Sequence, residues 1–217
     1  NKKKEGGLLI CGRCVFVSGT SGFVGAFVLN ELLKCGVGKV VCLVRGVSDD
    51  HDARVKLCAN LKKLKLYDKW KAMNGENVCD VIAGDISKPL FGLKIETYNK
   101  YVNCVDVVVH CAAVVNHILP YSSLAPTNVK GTLEILRFCT TTKLKPLLHL
   151  STISVISTNP NAMKERTQIT NNNGRGVIFE NHDVDIELKW MGDEGGYSQS
   201  KWVAEKLVRS AMERGLP

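Results

Sequence analysis

The amino-acid sequence predicts an α/β domain with a doubly wound parallel sheet. Short apolar runs alternate with longer amphipathic ones along the chain, as they do in strand–helix–strand units. The short runs are almost continuously apolar, as expected of strands buried on both faces of a parallel sheet. Because such crossovers are right-handed, the alternation leaves few topologies to consider.

Five strands are predicted, at Cys14–Ser18, Lys39–Val44, Val78–Ala83, Val105–Cys111 and Leu147–Ser151. Helices are predicted at Phe23–Cys35, Asp52–Leu66, Ile95–Val102, Leu124–Thr141 and Gly196–Arg214. In the first helix the apolar residues recur at helical spacing and predict a buried face of Val24, Val28, Leu32 and Cys35. The polar stretch Ser157–Gly195 exceeds ordinary loop lengths, so we predict a long active-site loop there within a single domain of residues 1–217.

Composition excludes several classes of protein. The chain has 217 residues, of which 45% are hydrophobic, which is too apolar for a disordered chain. No apolar run approaches the ~20 residues of a membrane span, and no signal peptide opens the chain. The net charge of +8 is compatible with nucleic acid, an anionic cofactor or an acidic partner. Lys62, Lys63 and Lys65 cluster without interleaved aromatic residues, so we predict no nucleic-acid binding.

The nine cysteines indicate a reducing compartment more than a metal or redox site. Several lie in apolar runs, where a free thiol packs as a small hydrophobic group. Cys11 and Cys14 form an isolated CxxC that leads into a strand, without the second pair that a zinc site needs. We therefore expect a cytoplasmic protein with no metal site.

A glycine-rich loop follows the first predicted strand. Gly19, Gly22 and Gly25 form a GxxGxxG pattern, with Thr20, Phe23 and Val24 among the residues between them. A strand before it and a helix after it are typical of a dinucleotide-binding turn, where glycines let backbone reach the pyrophosphate. The helix N-terminus then offers unpaired N–H groups to the phosphates. We expect the residues of this loop to bind a dinucleotide.

The end of the second predicted strand indicates which dinucleotide. An acidic residue at this position binds a ribose 2′-hydroxyl, whereas an arginine suits a 2′-phosphate. Here Val44 is followed by Arg45, and the next carboxylate is Asp49. Arg54, in the following helix, is a second candidate for the same phosphate. The sequence therefore favours NADP(H) over NAD(H).

A tyrosine–lysine pair indicates catalysis. Tyr197 and Lys201 are four residues apart on the last predicted helix and so share one face. An ammonium beside a phenol favours the phenolate, and such a phenol can donate a proton to a developing alkoxide. The fifth predicted strand ends in Ser151 and Thr152, at the sheet edge where ligands bind in folds of this class.

Together these motifs resemble the extended short-chain dehydrogenase/reductases. The segments TSGFVGAFVLNELL, AGDISKPLFGL, VNHILPYSSL and GYSQSKWVAEKLV resemble one branch, the thioester reductase domain, and the resemblance runs from Leu8 to Pro217. That domain ends carboxylic acid reductases, aminoadipate reductases and some non-ribosomal peptide or polyketide synthases. The resemblance implies a Rossmann-type sheet, truncated here before its last strands and its substrate lobe. It implies NADPH-dependent reduction to an aldehyde of an acyl thioester carried on the phosphopantetheine arm of a carrier domain.

The resemblance also implies roles for individual residues. Thr152, Tyr197 and Lys201 would form the catalytic triad, with Tyr197 and Lys201 also contacting the cofactor. Further cofactor contacts would come from Asp85 and Ile86 beside the adenine, from Asn128, and from the segment beneath the cofactor, Cys111, Ala112 and Ala113. His117 is a candidate acid, although a role in the wall of the site is the simpler interpretation.

Two alternatives stay open, a fatty acyl-CoA reductase and a non-catalytic NADP-binding module. A sugar-nucleotide epimerase has the same triad, but VNHILPYSSL and Arg45 argue against it. The chain begins at Asn1 and ends at Pro217, so we expect it to be an excerpt of a longer protein. We expect this excerpt to be inactive alone and to leave the edge of its fifth strand exposed.

Overall fold

A computed structural model describes residues 10–170 and 183–217, and of residues 167–170 it describes only the backbone. Its centre is a five-stranded sheet, which confirms the predicted fold class. The strands are β1 (Cys14–Ser18), β2 (Lys39–Val44), β3 (Cys79–Ala83), β4 (Val107–His110) and β5 (Leu147–His149). They lie in the order β3-β2-β1-β4-β5, and every neighbouring pair is parallel. This is the strand order of a Rossmann sheet through its fifth strand.

The helices cover both faces of the sheet. They are α1 (Phe23–Lys34), α2 (Asp50–Lys63), α3 (Tyr67–Ala72), α4 (Gly75–Val78), α5 (Ile95–Cys104), α6 (Tyr121–Ala125), α7 (Gly131–Thr140), α8 (Pro160–Thr170), α9 (Leu188–Met191) and α10 (Gly196–Glu213). Short 3₁₀ turns lie at Pro89–Gly92, Ile153–Val155 and Val184–Glu187. Within the described ranges no helix is long and apolar enough to cross a membrane.

One predicted helix, Leu124–Thr141, is divided in the structure. Its helical residues begin earlier, at Tyr121, and a π turn over Pro126–Lys130 separates α6 from α7. Proline has no backbone N–H and crowds the preceding turn, which accounts for a change of hydrogen-bond pattern at Pro126. The short helices α3 and α4 were not predicted, because neither is long enough to give a periodic pattern.

The sheet separates two apolar layers. Val15 and Val17 of β1 pack on one side, in a layer that includes Leu29 of α1 and Leu57 of α2. Phe16 packs on the other side, among aromatic residues that include Phe91, Tyr98 and Phe138. This alternation confirms that the central strands are buried on both faces.

The predicted buried face of the first helix is wrong in part: Leu32 is buried and Val28 half-buried, but Val24 and Cys35 are exposed. Val24 is 43% exposed, whereas the buried residues of α1 are Gly25, Ala26, Leu29, Asn30, Leu32 and Leu33. The reason lies at Gly25, where a Cβ atom would stand only 2.1 Å from the Gly19 carbonyl oxygen. This backbone contact turns Gly25 and the residues one and two turns later toward the sheet, and Val24 therefore faces outward.

The prediction of an irregular 157–195 loop is also wrong in part. Residues 171–182 lie outside the described residues, but α8, the turn Val184–Glu187 and α9 are regular. Arg166 of α8 is 7% exposed and its Nη1 donates to both carboxylate oxygens of Glu187, at 2.8 and 2.7 Å. Its Nη2 donates to the Ser157 carbonyl at 2.6 Å. Charged side chains occupy buried positions in this segment. Its sequence therefore lacks the apolar spacing of a helix and resembles that of a loop.

The outer edge of β5 is partly covered. The Leu147 N–H donates to the Pro217 carbonyl at 2.9 Å, so the end of the described chain lies beside the start of β5. The side chains of Leu148 and of Leu150, which follows the strand, are 64% and 44% exposed on the faces of the sheet. The expectation of an exposed edge is therefore wrong for the first residue of β5, and for the later residues it stays a prediction.

The buried ion pair gives a stability prediction. Glu187→Leu removes the Glu187 carboxylate from the buried Arg166 guanidinium, so we expect the free energy of unfolding to fall by about 3–5 kcal/mol. The double variant Arg166→Met, Glu187→Leu should recover most of that loss, because neither buried charge remains. Urea unfolding followed by circular dichroism measures both.

The exposed pair between Lys189 and Glu165 provides the control. Glu165→Gln should change the free energy of unfolding by less than ~1 kcal/mol, because water already solvates that pair. The single variant Arg166→Met completes the set. A double variant whose loss equals the sum of the losses in Glu187→Leu and Arg166→Met would show that the two side chains are not coupled.

Candidate active site

A cavity opens where the strand order reverses, between the carboxyl ends of β1 and β4. Ser18 and His110, the last residues of these strands, lie side by side. The cavity has a volume of about 320 Å³ and is lined by Ser18, Gly19, Ser21, Gly22, Leu43, Arg45, Lys56, Gly84, Ile86, Cys111, Ala112, Ala113 and Thr127. Open α/β sheets bind their ligands at this kind of crevice.

The glycine loop forms one wall of the cavity by backbone contact. Gly19 has a φ of +84°, and a Cβ atom there would stand 2.7 Å from the Ala112 nitrogen. Gly22 precedes α1 with no side-chain cap, so the first N–H groups of the helix have no side-chain acceptor at that position. Those N–H groups and the positive end of the helix suit an anionic ligand.

The other predicted loop residues lie differently. Thr20 is fully buried, and Phe23, 68% exposed, and Val24 point their side chains away from the cavity lining. Ser21, which was not predicted, does line it. Spacing within the GxxGxxG pattern identifies the glycines, but it does not say to which side the intervening side chains point. Backbone contacts from Thr20, Phe23 and Val24 to a cofactor stay a prediction.

Two basic side chains stand at the cavity. Arg45 is exposed and its Nη1 donates to Thr127 Oγ1 at 3.1 Å, and the Lys56 ammonium donates to the Arg45 carbonyl at 2.5 Å. Arg54 does not line the cavity. Its guanidinium donates to the backbone carbonyls of Glu76 and Cys79. Two residues along a helix turn the side chain by about 200°, which is why Lys56 reaches the cavity and Arg54 does not.

The loop after β3 contributes Ile86 and not the side chain of Asp85. Ile86 is buried and packs against Gly131, where a Cβ atom would lie 2.7 Å from the Ile86 side chain. The Asp85 carboxylate accepts hydrogen bonds from the N–H and the hydroxyl of Ser87, at 2.9 and 2.8 Å. Asp85 thereby closes a turn that presents Ile86 to the cavity. A contact from Asp85 to the adenine stays a prediction.

A buried hydrogen-bond chain holds the segment after β4, Cys111–Ala113, in place. Thr132 Oγ1 donates to the Asn128 carbonyl, so it accepts from His110 Nε2, and His110 Nδ1 accepts from Ser18. Ser18 Oγ in turn accepts from the Ala112 N–H at 3.3 Å. Burial holds the pKa of His110 well below its usual value, so the ring stays neutral. Sequence reasoning missed His110, because it lies inside an apolar strand pattern.

Asn128 connects the same segment to α10. Its amide accepts from the Val114 N–H at 2.8 Å and donates to the Val114 carbonyl at 3.0 Å. Its Nδ2 also donates to Ser200 Oγ at 3.0 Å, and Ser200 donates to the Tyr197 carbonyl at 2.8 Å. Asn128 therefore links the segment after β4 to α10, and its predicted contact to a cofactor stays a prediction.

Tyr197 and Lys201 lie on the buried face of α10. The Tyr197 and His117 rings form a T-shaped pair with centroids 5.0 Å apart, which makes His117 a neighbour of the tyrosine. Lys201 is 3% exposed and donates to the Leu150 carbonyl at 2.8 Å. Burial lowers the pKa of Lys201 to about 8, against the opposing effect of the Glu205 carboxylate.

The two hydroxyls after β5 are not equivalent. Ser151 Oγ donates to the Glu205 carboxylate at 2.5 Å and is committed to that contact. Thr152 Oγ1 accepts from the Ser154 N–H at 3.2 Å and so caps the turn Ile153–Val155, against which α10 packs. Of the predicted catalytic residues, Tyr197 and Lys201 share the face of α10, and Thr152 stands at the turn that this helix contacts.

Comparison with known proteins identifies the family. Residues 17–217 match the profile of an NAD-binding family described as "Male sterility protein". The chain belongs to this family. The terminal R domain of the myxalamid PKS–NRPS pathway has a TM-score of 0.80 and 34% identity over 95% of this chain and 47% of that structure. The resemblance to terminal reductase domains is thereby confirmed.

Relatives of known name agree with this assignment. "Nonribosomal peptide synthetase asaC" of Aspergillus flavus is 38% identical over 94% of this chain and 18% of its own length. "Carboxylic acid reductase" of Mycobacterium marinum is 36% identical over 94% of this chain and 17% of its own length. The chain thus spans about half of the solved R domain and less than a fifth of these relatives.

The glycine contacts give a binding prediction. Gly25→Ala places a methyl group 2.1 Å from the Gly19 carbonyl oxygen, so the loop must shift and the binding of a reduced nicotinamide dinucleotide should weaken at least tenfold. Gly192→Ala is the matched control, because a Cβ atom there meets nothing within 4 Å. Titration of cofactor fluorescence measures both, and equal affinities of the two variants would contradict the assigned role of the loop.

Proposed function

We propose that this chain is the cofactor-binding part of a reductase that uses NADPH to reduce an acyl thioester, held on the phosphopantetheine arm of a carrier domain, to an aldehyde. The observation that carries the proposal is the position of Tyr197 and Lys201, together on α10 at the carboxyl end of β5 and tied through Ser200 and Asn128 to the segment that lines the cavity. Two relatives are named a carboxylic acid reductase and a nonribosomal peptide synthetase, and a similar solved structure is a terminal R domain. These names support the same reaction class.

The cavity suits a dinucleotide. Gly19 lines the cavity, and a Cβ atom at Gly19 or Gly25 would collide with the backbone of Ala112 or of Gly19, so the glycines allow the close approach that shapes this wall. The start of α1, which has no side-chain cap, is suited to bind an anion. Arg45 and Lys56 place two positive charges at the cavity, beside the end of β2, and none of the described residues that line it is a carboxylate. A 2′-phosphate is the group that such a pair of charges favours, so NADPH is the proposed cofactor.

The residues on α10 then account for the chemistry. A bound NADPH supplies the hydride that reduces the thioester carbonyl. Tyr197 and Thr152 would donate hydrogen bonds to the carbonyl oxygen as negative charge develops on it, and Tyr197 would give that oxygen its proton. The Lys201 ammonium, held beside β5, would stabilise the phenolate that remains. The carbon–sulfur bond of the thiohemiacetal then breaks, and thiol and aldehyde leave.

Removal of the phenol tests the catalytic assignment. In the full-length enzyme Tyr197→Phe should lower kcat for aldehyde formation by about 10³-fold, since the variant loses both the proton donor and a hydrogen bond to the oxyanion. Tyr67→Phe, on α3, is the control and should leave kcat unchanged. Assays with carrier-bound acyl groups and with free acyl-CoA would also show which acyl donor the enzyme uses. Near-normal turnover by Tyr197→Phe would contradict the proposal.

Removal of the arginine tests the cofactor preference. Arg45→Ala should raise KM for NADPH by about 10–100-fold, the worth of one charge-assisted hydrogen bond, and should change KM for NADH little. Arg137→Ala, which removes an exposed guanidinium of α7, controls for net charge. A parallel loss with NADPH and NADH would mean that Arg45 does not contact a 2′-phosphate.

A further inference from the structure

Lys201 contacts two groups at the end of β5, one from the last residue of the strand and one from the residue that follows it. Its ammonium donates to the Leu150 carbonyl at 2.8 Å and lies 3.5 Å from His149 Nε2, at the long end of hydrogen-bond distance. The ammonium has three N–H groups. These two inward contacts therefore leave one N–H to point toward a ligand.

The Lys201 contact fixes which nitrogen of His149 carries the proton. An ammonium brings only donors, so the nitrogen that faces it must be the acceptor, and the ring proton then sits on Nδ1. His149 Nδ1 is buried and has no hydrogen-bond partner among the described residues. A buried donor without a partner lowers stability, and an apolar side chain would avoid that cost. Packing alone therefore does not explain a histidine at this position.

The neighbouring histidine shows the contrast. The rings of His110 and His149 lie 5.1 Å apart, one on β4 and one on β5. Both nitrogens of His110 are engaged, by Ser18 and by Thr132. Both ring nitrogens of His110 therefore take part in the hydrogen bonds that hold the segment after β4. In His149, by contrast, one nitrogen faces Lys201 and the other has no described partner.

We propose that His149 is a positioning residue, whose Nε2 acceptor directs the Lys201 ammonium and keeps it protonated. The inference deepens the proposed function, since it assigns what prepares Lys201 for its role beside Tyr197. His149 acts through Lys201 and contacts neither substrate nor cofactor in this assignment.

The charged and titratable groups around Lys201 are consistent with this role. They are His149 of β5, His110 of β4, Glu205 of α10 and Cys111 of the segment after β4. Burial, together with the nearby Lys201 charge, lowers the pKa of His149 to about 3, so the ring is a neutral acceptor at physiological pH. Burial raises the pKa of the Cys111 thiol, which is therefore also neutral. Loss of the His149 acceptor leaves Lys201 buried with less to stabilise its charge, and its pKa should fall further.

Residue-specific competitive labelling tests this in the full-length protein without substrate. An amine-acylating reagent modifies only the unprotonated lysine, and mass spectrometry of the Lys201 peptide across pH gives its titration midpoint. His149→Phe keeps a ring without an acceptor, and we expect the midpoint to fall by about one unit. At pH 7 the unprotonated fraction of Lys201 then rises about fivefold. His149→Leu should behave in the same way if the phenylalanine variant does not fold.

Two further variants separate positioning from packing. His149→Gln places an amide oxygen near the position of Nε2 and should restore the wild-type midpoint. His51→Leu replaces an exposed histidine of α2 and should change nothing. An unchanged midpoint in His149→Phe, or an equal shift in His149→Gln, would overturn the proposal.

The enzymatic readout is separate from the labelling. If the proposed function holds, the alkaline limb of the pH–kcat profile moves down with the Lys201 midpoint in His149→Phe and returns in His149→Gln. If wild-type enzyme forms no aldehyde, the proposed function fails, while the labelling result still decides the role of His149.

Discussion

The close approach of Gly19 to the backbone of Ala112 is the constraint on which the site depends. A side chain at Gly19 would collide with the Ala112 nitrogen, and one at Gly25 would collide with Gly19 itself. Three backbone segments, the glycine loop, the start of α1 and Cys111–Ala113, therefore meet at one point with no side chain between them. Everything that a dinucleotide would contact near its pyrophosphate is arranged around that point.

The polar groups buried near this point extend the constraint to α10. Ser18 and His110 hold one end of the segment after β4, and Asn128 holds the other while also bonding Ser200. Each of these buried groups has its hydrogen bonds satisfied, which is the condition under which a polar core rigidifies a fold. The floor of the cavity and the face that carries Tyr197 are thus parts of one hydrogen-bonded unit.

What the sequence could predict depended on whether the signal was local. The strands, the glycine loop and the Tyr197–Lys201 pair follow from patterns within a few residues, and the structure places them as expected in one sheet and on one helix. The buried face of α1, the choice of Lys56 over Arg54 and the helices and turn within 157–195 depend on contacts between distant segments. His110 and His149 were missed for the same reason, since a histidine in an apolar strand gives no sign of what its nitrogens face.

Net charge is a weak guide to function here, because the charges that matter have opposite environments. Arg45 is exposed at the cavity, where its charge attracts an anion at little cost. Lys201 is buried, where the same charge is destabilised and its pKa falls to about 8. An exposed charge such as that of Arg45 suits binding. A buried group such as Lys201 suits chemistry, because its neighbours can shift its pKa and so tune its response to a reacting group. The net charge of +8 counts the exposed and the buried charge alike, so it does not separate binding groups from catalytic ones.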